Sequence, residues 1–287
     1  MDDRFKVLIT GAEGFTGRHL LKELTEHGYE CIGLKSDLLD KDAILSEVVT
    51  VCPNYVIHLA SISFTAEEDT NKIYNVNVVG SMNLLEALSK LKEPPENVIL
   101  ASTAAVYGVA GKSFQDEEMA PAPVSHYACS KLCMEHLAKN YANFFPITIV
   151  RPFNYTGPGH GEKFLIPKIV KAYKTGQTQI ELGNLDVFRE FNDVRDVCTI
   201  YRIIMSSSPA FGAVNICTGR SISLLKIIEI MDVISGVKMI VKVNPLFVRD
   251  NEIKNLSGNP SKLQGVTGYK AVYSIEDTLR SMYSQTK

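Results

Sequence analysis

Tyr127 and Lys131 stand four residues apart in the segment Tyr127-Ala128-Cys129-Ser130-Lys131, a spacing that brings both side chains to one face of a helix. A phenol with a reference pKa near ~10 exchanges protons poorly at neutral pH, and an adjacent ammonium favours the phenolate and lowers that value. The pair therefore has the makings of a general acid or base. A second chemistry lies in Thr10-Gly11-Ala12-Glu13-Gly14-Phe15-Thr16-Gly17, where glycines recur at every third position. Such a loop lets the backbone turn sharply and approach a pyrophosphate, whose charge then rests on exposed N–H groups and the positive end of the next helix. A bound dinucleotide beside a proton exchanger is the equipment for hydride transfer.

Both features need elements to hold them. Short β-branched runs over 6–10, 30–34, 55–60, 97–102 and 147–151 alternate with helix-length amphipathic stretches, among them 18–27, 75–91 and 127–144. Strands separated by helices predict right-handed βαβ crossovers and a parallel sheet, so the fold class is α/β, a Rossmann-type doubly wound sheet. The glycine loop then joins the first strand to the first helix, and Tyr127 opens the helix that follows the 97–102 strand. Beyond Arg151 the rhythm breaks at Pro152, Gly157-Pro158-Gly159 and Gly161, and shorter helices mix with isolated strands. The expected division is a dinucleotide-binding domain over 1–151 and a smaller mixed α/β substrate lobe over 152–287, interwoven with the first.

The second strand ends without the acidic residue that normally takes the ribose hydroxyls and repels a 2′-phosphate. Lys35 and Ser36 stand there instead. They lean towards NADPH over NADH as the cofactor, or are two solvated loop residues.

With 45% apolar and 22% charged residues in 287, the chain can bury one large α/β unit, and no run approaches the ~18 apolar residues of a membrane helix. A net charge of −2 without a basic run argues against a nucleic-acid partner. The start Met1-Asp2-Asp3-Arg4-Phe5-Lys6 lacks a basic region followed by an apolar one, which points to the cytoplasm. The six cysteines form no CxxC pair and read as reduced thiols packed in the core. Cys129 and Cys133 share a helix face, but no His or acidic cluster near them completes a metal site, so no metal is expected.

In the order of these motifs, from about Lys6 to near the C-terminus, the chain resembles the short-chain dehydrogenase/reductase superfamily, in its extended branch of nucleotide-sugar enzymes, the epimerase/dehydratase family. The resemblance implies further roles. Asp37-Leu38 matches the pair that holds the adenine edge, and Leu59-Ala60-Ser61 the string that walls the cofactor. Asn77 is matched to a structural position. Aligned on Ala104-Ala105-Val106-Tyr107-Gly108, the strand-end hydroxyl that bonds the reacting oxygen is Thr103, which completes a catalytic set with Tyr127 and Lys131, and these last two also border the cofactor, Lys131 at the nicotinamide ribose. The family's 4,6-dehydratases carry an Asp-Glu pair where this chain has Ala104 and Ala105, so dehydration of the sugar is not expected.

On the substrate side, Arg151-Pro152-Phe153-Asn154 and the segments 183–196 and 244–253 are similar to the group of GDP-mannose dehydratases and GDP-4-keto-6-deoxymannose reductases. By that likeness Asn154 binds the sugar or its phosphate, Arg189 and Arg249 clamp the diphosphate, Glu252 takes the ribose hydroxyls, and Asp196 caps a helix. The implied activity is NAD(P)H-dependent reduction of the 4-keto group of a nucleotide-diphosphate 4-keto-6-deoxy sugar, in the supply of deoxysugars for surface polysaccharide. A 4-epimerase retaining its NAD would use the same residues, and a non-catalytic NADP sensor would lack the Tyr/Lys pair. A homodimer through the helices near 75–91 and 127–144 is expected from the family alone.

Overall fold

In the computed structural model the alternating runs become a six-stranded parallel sheet with helices on both faces. The structure describes residues 5–63, 69–108, 114–207, 212–248 and 254–285. The first part runs β1 (Lys6–Thr10), α1 (Phe15–Glu26), β2 (Glu30–Gly33), α2 (Lys41–Val51), β3 (Tyr55–His58), α3 (Thr70–Tyr74), α4 (Ser81–Ser89), β4 (Asn97–Ala101), α5 (His126–Ala138) and β5 (Ile147–Pro152). There follow β6 (Tyr155–Thr156), α6 (Leu165–Lys174), β7 (Gln179–Leu182), β8 (Phe188–Arg189), β9 (Asn192–Asp193), α7 (Val194–Ser206) and β10 (Ala213–Ile216). The chain ends with β11 (Ile222–Ser223), α8 (Leu224–Ser235), β12 (Ile240–Val243), β13 (Asn255–Leu256), α9 (Ser261–Thr267) and α10 (Ile275–Ser284).

Successive side chains of a strand point to opposite faces, and β1 uses both. Val7 and Ile9 pack with Leu20 and Leu24 of α1 and with Val197 and Tyr201 of α7. Leu8 joins Ile44 and Val48 of α2 and Leu84 and Leu88 of α4 on the other side. Each such fully buried aliphatic side chain contributes about 1.5–3 kcal/mol, so the sheet is held from two sides by the crossover helices that the parallel topology itself requires. A separate core of Ile169, Tyr173, Leu224, Ile227 and Leu279 joins α6, α8 and α10 to β7 and β12.

The sheet order is β10-β5-β4-β3-β1-β2. The chain therefore leaves β1 in one direction to reach β2 and returns past it to reach β3. That reversal opens a crevice at the carboxyl ends of β1 and β3, the place where doubly wound sheets bind ligands. The sixth strand, β10, and the helix that covers α1, α7, both come from residues beyond Pro152.

Element ends move by a few residues from the periodicity. The α-helical part of α5 stops at Ala138 and tightens into a 3-10 turn over Lys139–Tyr141, and Asn75–Gly80 forms a π-helical turn between α3 and α4. The six cysteines are free thiols, but two are not core residues: Cys52 and Cys133 are exposed. Cys52 closes α2 with φ of 46°, and Cys133 lies outside the face by which α5 meets the sheet. Among the described residues no helix is long and apolar enough to cross a membrane.

Candidate active site

The glycine loop lines the crevice. Gly11 has φ of +68°, and a Cβ there would stand 3.0 Å from the backbone of Ala60, just after β3. A Cβ on Gly17 would collide with the Gly11 and Ala12 carbonyls and come within 2.6 Å of Ala12 Cα. Gly14, the N-cap, places no side chain over the first N–H groups of α1, whose first turn holds no acid. An uncapped helix start beside a cradle that any Cβ would fill fits a dinucleotide diphosphate. Leu59, Ala60 and Ser61 run half-buried along the same wall, with the Ala60 amide fixed on Thr10 Oγ1 at 3.0 Å.

Phe15 and Thr16 turn their side chains elsewhere. The Phe15 ring stacks on His160 at 4.3 Å between centroids, and Thr16 Oγ1 lies 2.8 Å from the Tyr155 hydroxyl. Both residues therefore tie the glycine loop to the segment after β5, leaving their backbones to the crevice. At the end of β2 the amides of Lys35 and Ser36 donate to Glu47 of α2 at 2.9 and 2.8 Å. Asp37 is exposed and accepts from the Leu39 amide at 2.9 Å, whereas Leu38 is buried. The Leu38 carbonyl accepts from Asn83 Nδ2 at 2.8 Å.

Thr103 follows β4 and begins a 3-10 turn, its hydroxyl accepting from the Ala105 amide at 3.2 Å. Ser125 caps α5 by accepting from the Ala128 amide at 3.2 Å, which sets Tyr127 in the first turn and Lys131 one turn on. The Thr103 hydroxyl bonds the Tyr127 phenol. Here the structure corrects the sequence expectation. Burial pushes the phenol up rather than down, the nearby Tyr155 adds to this, and the bond from Thr103 opposes it. Lys131 one turn on has its own charge penalised: the side chain is buried, Nζ donates to the Ala101 carbonyl at 2.8 Å, and its pKa falls to about 7.

On the substrate side, Asn154 is exposed, and its carbonyl accepts from the Asn192 amide at 2.8 Å. Arg189 lies on β8 and donates to the carbonyls of Phe188 at 2.8 Å and Lys254 at 3.4 Å. Arg249 and Glu252 lie outside the described residues. Asp196 is not a cap: Asp193 caps α7 by accepting from the Arg195 amide at 2.8 Å. Asp196 sits inside the first turn, buried, and takes Tyr269 Oη at 2.5 Å and the amides of Val272 and Tyr273 at 3.0 and 3.1 Å. It pins the C-terminal segment to α7.

The family of NAD dependent epimerases/dehydratases matches residues 7–217. The chain belongs to this epimerase/dehydratase family. It is 37% identical to a GDP-6-deoxy-D-talose 4-dehydrogenase from Aggregatibacter actinomycetemcomitans, over 97% of each chain. It is 30% identical to a GDP-6-deoxy-D-mannose reductase from Pseudomonas aeruginosa, over 97% of this chain and 96% of that one. The solved structure of RMD from Pseudomonas aeruginosa, complexed with NADPH, superposes with a TM-score of 0.90 at 29% identity, covering 98% of this chain and 97% of that one. The chain is thus a nucleotide-sugar enzyme of the NAD(P)-dependent, extended short-chain type.

Several residues that organise this epimerase/dehydratase site carried no recognised motif. His58, at the end of β3, is fully buried and pushed down to about 3 by desolvation and by Lys131, so it is neutral. Its tautomer follows from its neighbours. Ser81 Oγ donates to the Asn77 carbonyl at 2.7 Å and so accepts from His58 Nε2 at 2.8 Å, while Thr10 Oγ1 donates to Nδ1 at 2.7 Å. Asn77 Oδ1 accepts from the Ile62 amide and its Nδ2 donates to Ser130 Oγ, which donates to the Tyr127 carbonyl. One directed chain of hydrogen bonds thus joins the strand before the glycine loop to the backbone of Tyr127, and Asn77 is its hinge.

Beneath Lys131, the carboxylate of Glu135 takes Arg151 Nε and Nη2 at 3.0 and 2.6 Å and also bonds Ser102 Oγ. Tyr127, Lys131 and Glu135 recur every four residues, a continuation of the i, i+4 pattern that would have found the third. Glu190 is buried and accepts from the amides of Gly258 at 2.5 Å and Thr218 at 2.7 Å. It holds the turns after β13 and β10 together beside Arg189.

Proposed function

We propose that this chain moves a hydride reversibly between a nicotinamide dinucleotide and carbon 4 of a 6-deoxyhexose on a nucleoside diphosphate, with reduction of the 4-keto sugar as the working direction. The observation that carries this reading is the placement of the Tyr127 phenol, bonded by Thr103 and set in the first turn of α5 one turn before Lys131. A protonated phenol at neutral pH is a donor to an oxygen that gains negative charge, which is what reduction of a ketone requires.

The reduced nicotinamide, when bound, supplies the hydride to the carbonyl carbon. Thr103 donates a hydrogen bond to the carbonyl oxygen, and Tyr127 gives that oxygen its proton as the charge develops. The ammonium of Lys131 offsets the phenolate left behind, which regains a proton from water. By the resemblance to the family, Asn154 is assigned to the sugar, Arg189 and Arg249 to the diphosphate, and Glu252 to the nucleoside ribose. Ala104 and Ala105 offer no carboxylate beside Thr103, so the acid and base needed to eliminate water are missing there.

The relatives' names support the same ketone. Talose and mannose differ only at carbon 4, so oxidising either 6-deoxy sugar at that carbon erases the difference and yields one 4-keto compound. A 4-dehydrogenase of the first and a reductase of the second are two exits from it.

The test is incubation with GDP-4-keto-6-deoxy-D-mannose and NADH or NADPH, with the product examined by NMR. One equivalent of reduced dinucleotide consumed per 6-deoxyhexose formed is the expected result. Interconversion of a non-keto nucleotide sugar without net oxidation, and no reaction with the ketone, would replace this reading with a 4-epimerase.

A further inference from the structure

In a doubly wound dinucleotide fold the end of the second strand faces the adenosine ribose, and the charge there separates NAD from NADP. In this chain β2 ends at Gly33, and Lys35 and Ser36 follow. The spatial neighbour of these two residues comes from another element. Glu47 of α2 reaches back so that Oε1 accepts from the Lys35 amide at 2.9 Å, while Oε2 accepts from the Ser36 amide at 2.8 Å and from Ser36 Oγ at 2.5 Å.

Two successive amides and a hydroxyl converging on one point form an anion-binding nest. A 2′-phosphate would use such a nest, and here a carboxylate of the protein fills it. The bonds from Ser36 and Lys35, with the charge of the Lys35 side chain, hold the Glu47 carboxyl down against its partial burial, so it is an anion at neutral pH. Lys35 and Ser36 look, in sequence, like a phosphate site. In the fold the two amides and the Ser36 hydroxyl are already given to Glu47.

We infer that Glu47 supplies, from α2, the acidic discriminator missing at the end of β2, and that it selects the dinucleotide without a 2′-phosphate, NADH over NADPH. This rests on the dinucleotide reading of the crevice. A phosphate entering this corner meets a carboxylate already seated on the donors it needs, and must either displace it or bind beside it. Ribose hydroxyls carry no such conflict, since they can donate to the same carboxylate.

The experiment is calorimetric titration of the full-length protein with NADH and with NADPH, without sugar nucleotide, for the wild type, Glu47→Gln and Glu47→Ala, each checked for an unchanged melting profile. The wild type is expected to bind NADH about tenfold more tightly or better, a difference of roughly 1.4 kcal/mol. Both variants are expected to move the ratio of the two dissociation constants towards NADPH by about tenfold or more, Glu47→Ala the further. Glu47→Gln keeps the length of the side chain and so remains informative if the alanine variant folds poorly. A wild type that takes NADPH as tightly as NADH, or variants that weaken both ligands by one common factor, would overturn the inference and leave Glu47 a loop brace. Failure of the wild type to bind either dinucleotide would remove the reading of the crevice itself.

Discussion

Lys131 Nζ donates to the carbonyl oxygen of Ala101 at 2.8 Å, which ties the middle of α5 to the last residue of β4. The lysine is 1% exposed, and its charged form is penalised by burial and partly rescued by Glu135. The same tether that places the ammonium near Tyr127 therefore makes the charge conditional on pH.

The consequence for stability has a definite sign. With a folded pKa of about 7 and an unfolded value near ~10.4, the unfolded chain holds a proton that the folded chain has released across the interval between them. Stability attributable to Lys131 therefore rises with pH through that window. Lys131→Met, which cannot titrate, should be more favoured relative to wild type at pH 7 than at pH 10, by about 3 kcal/mol. Urea unfolding of both proteins at the two pH values measures this, and a pH-independent difference would show that Lys131 stays charged.

Tyr127→Phe removes the proton donor and leaves the ring. Turnover of the 4-keto sugar should fall by about 10²–10⁴, with melting temperature and dinucleotide affinity little changed, since the phenol oxygen bonds Thr103. Steady-state rates beside calorimetric binding separate the two effects. Retention of most of the wild-type turnover would take Tyr127 out of the mechanism.

The sheet, the glycine loop and the Tyr/Lys helix were legible because each rests on local rules: β-branched runs, helical spacing, and glycine where a Cβ would collide. What the residues around them do was less so. Lys35 and Ser36 point to a phosphate until α2 brings Glu47 onto them, eleven or twelve residues away in sequence. The Tyr127 phenol is pushed up where the i, i+4 spacing implies the reverse, because desolvation depends on everything packed around it. Asp196 looks like a cap beside Asp193, and only the fold shows which of the two caps α7 and which anchors Tyr269. Long-range partners decide these roles, and periodicity carries no information about them.

The two glycines Gly17 and Gly265 should respond oppositely to alanine. At Gly17 the new methyl would meet backbone of the loop itself, with Ala12 Cα at 2.6 Å, so the loop must move. Gly17→Ala should lose about 1–3 kcal/mol of stability and most dinucleotide affinity. Gly265, inside α9, has nothing within 4 Å of its would-be Cβ. Gly265→Ala should gain about 0.5–1 kcal/mol. Thermal unfolding with and without NADH reads both.

The pair Glu135 and Arg151 tests the support beneath the site. Their side chains are each 7% exposed, and Arg151 also donates to Tyr107 Oη at 3.0 Å, which in turn donates to Asn215 at 2.7 Å. The network thereby links α5, β5 and β10. A buried charge stripped of its partner costs about 3–5 kcal/mol, whereas replacing both with apolar groups of similar size is often close to neutral. Glu135→Leu and Arg151→Met should each destabilise by about 3 kcal/mol or more, and the double variant by less than either alone. The double variant should still work less well than wild type near neutral pH. It lacks the carboxylate that raises the Lys131 pKa, so the loss of activity with rising pH should begin at a lower pH. Folding free energies and the pH profile thus report separately on the two duties of Glu135, bracing the strands and keeping Lys131 charged.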